Sequence, residues 1–154
     1  MSKAFHTLHQ VYLAVDAWLV RFMTTYGIRL IRVSLGVVFI WFGILKLIGR
    51  SPVAQLVAQT VYWVRPGVVV PFLGIWETLV GLGLLLGRVL RLTLSLFWLL
   101  LAGTFLVLLL RPDIAFQDGN PFLLTTEGEF VIKNLVLIAG GLVVGSTVRQ
   151  SREE

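Results

Sequence analysis

The sequence has 154 residues and a net charge of +5, and 57% of its residues are hydrophobic while only 14% are charged. Soluble domains carry about 25% charged residues and need polar groups to cover their surface. This composition, with a mean hydropathy of +0.90, therefore excludes a soluble domain and predicts an integral membrane protein. The absence of cysteine excludes disulfides and thiol chemistry within the chain. His6 and His9 precede every long apolar segment, which excludes a histidine-ligated haem or metal inside the bilayer.

The first predicted element is an amphipathic helix at residues 8–23. Its apolar residues recur at helical spacing, but Asp16 interrupts the apolar run. Because the run is broken and no small-residue cleavage site follows, the segment is not a secretory signal peptide. We expect a separate helix that lies on the membrane surface.

Four apolar segments follow, each with the roughly 20 residues that a transmembrane helix needs. They are residues 28–48, 68–86, 90–110 and 130–148. Between the first two, Ser51 as an N-cap and Pro52 at the first helical position predict a short interfacial helix. The short connections favour an all-α fold in one domain, residues 1–154, with four transmembrane helices in an up-down bundle.

The basic residues are scattered singly at segment ends, which is typical of topology signals and not of a nucleic-acid-binding surface. Four spans put both termini on one side of the membrane, and eight of the 13 Lys and Arg residues fall on that side. The positive-inside rule therefore predicts cytoplasmic termini.

Four charged residues lie within the apolar segments: Arg32, Lys46, Glu77 and Lys133. Each costs about 2.5 kcal/mol or more at the bilayer centre, so each needs a partner or an interface. Glu77 lies about 9 Å into the second segment, counted from Pro71. Because Lys46 and Lys133 approach from the same side, we expect both to converge on Glu77, while Arg32 is an anchor at the cytoplasmic end. Glu77 is then either a working group that contacts a ligand or a structural carboxyl that only fixes packing.

Small residues share helix faces with these polar groups. Steps of three and four residues place such residues on one face. The shared faces comprise Arg32, Gly36, Phe39, Gly43 and Lys46 in the first segment, Gly74, Glu77 and Gly81 in the second, and Asn134 and Gly141 in the fourth. Since small residues let helices approach closely in lipid, we expect these faces to pack against one another.

Aromatic side chains suggest a pocket. Trp41 and Trp76 lie inside the spans and not at their ends, as do Trp98 and several phenylalanines including Phe42, Phe72 and Phe105. They either line a flat apolar pocket or serve as ordinary core and lipid-facing residues. In the first case Trp41, Trp76, Lys46, Lys133 and Asn134 form the ligand-binding set.

Three stretches, in order, resemble the DoxX-like family of small membrane proteins: "RVSLGVVFIWFGILKL", "PFLGIWETLVGLGLLLG" and "GEFVIKNLVLIAGGLVV". The resemblance covers roughly residues 29–148. It implies a four-helix protein of the bacterial inner membrane, related to the DoxD-type subunits of thiosulfate:quinone oxidoreductase. By position, the polar motif residues of the family are Arg32, Lys46, Glu77, Lys133 and Asn134.

Three functions follow as hypotheses. The first is a redox-linked subunit that holds a quinone near Glu77, with Glu77 exchanging protons and a partner oxidoreductase supplying electrons. The chain itself has no visible redox centre, so it is at most a subunit of such an enzyme, with no metal or haem of its own. The second is a scaffold or anchor in a larger membrane complex, and the third is an oligomeric transporter of a small acid or proton.

Overall fold

The computed structural model describes residues 2–148, with side chains from His9 onward. That description does not include the side chains of Lys3 and Leu8 or any of residues 149–154. These residues contributed to the charge count and to the amphipathic pattern. Within the described residues the protein is helical, with one isolated antiparallel bridge between Phe116 and Leu124. The helices are α1 (Ser2–Leu47), α2 (Ala54–Thr60), α3 (Pro66–Leu86), α4 (Leu90–Leu110), α5 (Pro112–Ala115) and α6 (Thr126–Gly145), with 3₁₀ turns at Gln117–Gly119 and Ser146–Val148.

The prediction of an all-α membrane protein is confirmed. Four helical stretches are long and apolar enough to cross a membrane. They are His9–Leu47 within α1, the whole of α3, the whole of α4, and Thr126–Val148, which comprises α6 and the 3₁₀ turn after it. The predicted bounds 90–110 match α4, whereas α6 begins four residues before the predicted Phe130. The earlier start has a local cause, because the Thr125 hydroxyl accepts a hydrogen bond from the Gly128 backbone N–H at 3.1 Å and caps the helix.

The helix predicted at residues 8–23 is present, but it is not separate from the first span. These residues are helical, but they are continuous with the first span in α1, a helix of 46 residues and about 69 Å. The sequence between the two parts contains no proline, and Gly27 alone does not end the helix. The Thr24 hydroxyl donates to the carbonyls of Val20 and Arg21, each at 3.0 Å, so it is satisfied within the helix.

The spanning helices form a closed ring in which each packs on its neighbours in the chain order α1, α3, α4, α6 and back to α1. The pair α1 and α3 makes the most extensive interface. Phe97 of α4 is fully buried at the centre and its ring lies 5.1 Å from that of Phe39 of α1. A Cβ on Gly141 of α6 would collide with the Phe97 ring, so this predicted glycine admits the aromatic residue to the core.

The bundle has two different ends. The Lys46 end holds Lys46, the short helix α2 and the segment around α5. The Arg32 end holds Arg32, the turn between α3 and α4, and the 3₁₀ turn Ser146–Val148. The short predicted helix after the first span is present as α2, but it begins at Ala54 with Val53 as its N-cap, so the predicted roles of Ser51 and Pro52 are wrong. It packs on α3 and α4 at the Lys46 end.

Candidate functional site

The α1–α3 interface is built from backbone contacts between glycines. A Cβ on Gly81 would lie 2.6 Å from the Gly36 carbonyl oxygen, and a Cβ on Gly74 would lie 2.8 Å from the Gly43 carbonyl oxygen. Such distances leave no room for a side chain, so the four glycines bring the two helices into direct backbone contact. The predicted packing of the first two glycine faces on each other is confirmed, whereas that of the fourth segment is wrong, because Gly141 packs on Phe97 of α4.

This close approach pairs Lys46 with Glu77. Lys46 Nζ donates to Glu77 Oε1 at 2.8 Å and to Oε2 at 2.6 Å. The side chains are only 5% and 13% exposed, respectively. Each residue follows an interface glycine by three positions, Gly43 and Gly74, and so inherits the same helix face. The pairing of Glu77 with Lys46, expected from helix faces and depth, is therefore present.

The ion pair forms part of the wall of a cavity of about 390 Å³ at the Lys46 end. Residues from α1, α2, α3, α4 and α6 contribute, and most of them are apolar. The polar members are Lys46, Glu77, Thr60, Thr104 and Asn134. Both threonine hydroxyls donate within their own helices, to Leu56 O at 2.8 Å and Leu100 O at 3.1 Å. The ion pair and the Asn134 amide are thus the main polar features that a ligand would meet.

Three aromatic residues predicted for a pocket line this cavity: Phe42, Phe72 and Trp76. The Trp76 indole N–H is already used, because it donates to Leu96 O at 3.2 Å and ties α3 to α4. Its ring lies edge-on to Phe72, with 5.7 Å between ring centroids. Trp76 therefore offers the cavity an apolar wall held in a fixed orientation.

Other predicted residues lie elsewhere. Lys133 does not join Glu77: it is 74% exposed and donates to Glu129 at 3.0 Å, one turn earlier in α6. Adjacent residues on a helix point about 100° apart, so the buried Asn134 faces the cavity while Lys133 faces outward. Trp41 is 64% exposed and does not line the cavity. Trp98 and Phe105 pack against the hydrophobic core instead.

Sequence reasoning missed the contribution of α2. Val53, Leu56, Val57 and Thr60 line the cavity, and the four-residue spacing of the buried Leu56 and Thr60 in "AQLVAQT" was the available signal. Sequence reasoning also treated Arg111 only as the end of a span.

Arg111 connects α2 to α5. Its Nη1 donates to Gln59 O at 3.0 Å, and its Nε and Nη2 donate to the Asp113 carboxylate at 3.0 and 2.8 Å. The hydrogen bonds from Arg111 hold the pKa of the Asp113 carboxyl below its usual range. This exposed bridge fixes the position of α2 over the cavity.

Arg32 lies at the other end, as expected for an anchor. Its guanidinium rests against Gly87, which ends α3 with a positive φ of 68°. A Cβ at Gly87 would stand 2.9 Å from Arg32 Nη1. Glycine is thus favoured there both by backbone conformation and by the space that Arg32 fills.

The chemical capacity of the cavity follows from its lining. The ion pair is a neutral unit with hydrogen-bonding capacity, and the rest of the wall favours an apolar ligand. Among the described residues, no three His, Asp or Glu side chains come together as metal ligands. Comparison of the chain with models of known families, with curated proteins and with solved structures found no significant match.

Proposed function

We propose that this protein is a DoxX-like subunit of the bacterial inner membrane that holds a quinone or a similar flat, lipid-soluble carrier. The observation that carries the proposal is the apolar cavity with the Lys46–Glu77 pair in its wall. A partner oxidoreductase supplies the electrons. The termini lie in the cytoplasm, in keeping with Arg88 in the turn between α3 and α4 and Arg91 at the start of α4.

The size and walls of the cavity suit such a ligand. Its volume of about 390 Å³ falls at the lower end of small-molecule sites, which run from about 300 to 1,000 Å³. Phe42, Phe72 and Trp76 offer flat apolar surfaces to a ring. Phe72 and Leu99 are cavity-lining residues that are also exposed on the apolar outer surface. We infer that a lipid-soluble ligand enters the cavity from the bilayer beside these exposed residues.

The polar groups suit the carbonyl oxygens of a quinone. An ammonium group has three donors, and two of those on Lys46 point to Glu77, so one remains for a ligand oxygen. The Asn134 amide offers a further donor from α6. A quinone that becomes a quinol takes up two electrons and two protons, and Glu77 is the carboxyl in the cavity wall that can pass on a proton.

Quinone binding is tested on protein purified in mild detergent. An organic extract analysed by mass spectrometry contains quinone, and a short-chain quinone raises the melting temperature of the stripped protein. Asn134→Leu weakens the quinone titration about threefold to tenfold, because one hydrogen bond is lost. The control Lys133→Gln leaves the titration unchanged, since Lys133 lies outside the cavity. An extract without quinone, together with no thermal shift, rejects the proposal.

A second candidate is a non-catalytic scaffold in a larger membrane complex. It is favoured by the Gly43–Gly74 contact beside the ion pair, because this arrangement specifies helix packing without any ligand. Glu77→Gln then reduces assembly with the partner but leaves the activity of the assembled complex intact. Loss of activity in a normally assembled complex would contradict the scaffold.

A further inference from the structure

A second cavity, of about 400 Å³, lies at the Arg32 end of the bundle. Its wall includes three arginines, Arg32 of α1 and Arg88 and Arg91 around the turn between α3 and α4, together with Thr147. The wall therefore concentrates positive charge contributed by separate helices. This cavity shares no lining residue with the cavity beside Glu77.

The three arginines are not balanced by carboxylates within the described part of the chain. The salt bridges found there join Lys46 to Glu77, Arg111 to Asp113 and Lys133 to Glu129. In addition, Arg32 Nε is buried and has no hydrogen-bond partner among the described residues. A buried donor on a charged group that lacks an acceptor is energetically unfavourable. Arg32 itself lines the cavity, so an acceptor that enters the cavity can reach its guanidinium, and this observation points to a ligand.

The turn holds the guanidinium in place. Gly87 removes the side chain that would otherwise meet Arg32 Nη1 at 2.9 Å. Because α4 begins at Leu90, its first-turn N–H groups and the positive end of its dipole also lie in the cavity wall. A planar guanidinium with free donors beside a helix N-terminus suits a phosphate group, which accepts paired hydrogen bonds from arginine.

Apolar side chains flank the arginines. Val89 and Leu92 line the same cavity, and each is 60% exposed. A soluble phosphate would leave these side chains uncovered, whereas a phospholipid would lay its acyl chains against them. We propose that the cavity binds the phosphate of an anionic phospholipid, with Arg32 as the inner donor and Arg88 and Arg91 as outer donors.

The test measures lipid binding to delipidated full-length protein by native mass spectrometry and by thermal shift. Phosphatidylglycerol binds at least about tenfold more tightly than phosphatidylcholine. Arg32→Gln weakens phosphatidylglycerol binding about tenfold, as expected for losing hydrogen bonds to a charged group. Arg91→Gln, at an exposed position, weakens it less. The matched control Arg65→Gln removes one positive charge at the opposite end of α3 and leaves binding unchanged.

Several outcomes overturn the proposal. Equal binding of the two lipids does so, as does an equal loss with Arg65→Gln, because a general charge effect would then suffice. Tight binding of inorganic phosphate or glycerol phosphate, without a preference for the lipid, would show that the acyl chains contribute nothing. Glu153 and Glu154 follow Val148 closely in the sequence. If replacing both by Gln raises the phosphatidylglycerol affinity about tenfold, they compete for the arginines and the lipid is not the natural occupant.

If Arg32→Gln fails to fold, Arg32→Lys serves in its place. It keeps the charge but loses the planar fork. The proposal requires that Arg32→Lys still weakens phosphatidylglycerol binding relative to the native protein. Unchanged affinity in Arg32→Lys would show that charge alone matters at this position and would overturn the role of the paired hydrogen bonds.

Discussion

Lys46 and Arg32 lie on one face of α1, separated by Gly36, Phe39 and Gly43, yet their surroundings differ. Lys46 meets the carboxylate of Glu77 at hydrogen-bonding distance. Arg32 meets the backbone of the turn at Gly87, and its Nε has no partner within the part of the chain that the structure describes. The same helix interface thus contains one cation that is neutralised within the chain and one that is left open to an anion from outside.

The comparison teaches that burial of a charge does not by itself define its role. A paired charge in an apolar wall makes a neutral site, which suits an uncharged ligand. An unpaired charge beside an accessible cavity makes a site for an anion. The identity of the residue that α3 places opposite each cation, Glu77 or Gly87, decides between these two outcomes.

The largest expected effect is the loss of stability when Lys46 is deprived of its carboxylate partner. Glu77→Leu leaves the Lys46 ammonium buried without its partner, which lowers the free energy of unfolding by about 3–5 kcal/mol. The double variant Lys46→Met/Glu77→Leu recovers most of this loss, because no uncompensated charge remains. Arg32→Gln in delipidated detergent leaves stability unchanged or raises it slightly, because no partner among the described residues is lost and an unsatisfied buried donor is removed. Unfolding titrations in detergent measure all three variants.

A control pair lies on the surface. Glu129→Gln/Lys133→Met removes an exposed ion pair of α6 and changes stability by about 0.5 kcal/mol or less. If Glu77→Leu is no more harmful than this control, the Lys46–Glu77 pair is not a buried pair in solution, and the contrast with Arg32 disappears.

A smaller loss of stability is expected when the glycines at the α1–α3 contact beside Lys46 and Glu77 are replaced. Gly43→Ala or Gly74→Ala places a Cβ within 2.6–2.8 Å of backbone oxygen atoms, and the resulting overpacking costs about 1–3 kcal/mol. Gly67→Ala is the matched control in the same helix as Gly74, because nothing lies within 4 Å of its added Cβ. Thermal unfolding ranks the three variants. Equal melting temperatures for Gly74→Ala and Gly67→Ala would contradict close backbone contact.

The smallest effect concerns a third cation, Arg111, whose carboxylate partner is exposed. The pKa of Asp113 is lowered in the folded protein by the Arg111 hydrogen bonds. The folded state therefore gains stability above the ordinary Asp pKa of about 3.9, and that gain is lost as the pH falls through the lowered value. Melting curves between pH 7 and pH 3 show a small acid loss that Asp113→Asn removes. An identical acid loss in Asp113→Asn would assign it to another group.

The sequence predicted the four spans because hydropathy and length dominate helix insertion, and it predicted Lys46 and Glu77 because interface glycines fix which faces meet. It did not predict the continuity of α1, since Asp16 interrupts the apolar run and suggested a separate helix, whereas α1 continues through this position. The prediction that Lys133 joins Glu77 is wrong because depth in the membrane does not fix the direction of a side chain. Lys133 and Asn134 point about 100° apart on α6. For α2, the four-residue spacing of Leu56 and Thr60 indicates a buried face, but which cavity that face covers depends on tertiary packing.

The neutrality of the Lys46–Glu77 pair has an electrical consequence. A charge that crosses the membrane field gains or loses about 2.3 kcal/mol per 100 mV. An uncharged molecule that enters the cavity from the bilayer moves no net charge past a wall whose own charges cancel. Its occupancy is therefore independent of membrane voltage. Proton transfer to Glu77 from one side of the membrane would instead move charge through part of the field, and only that step would respond to voltage.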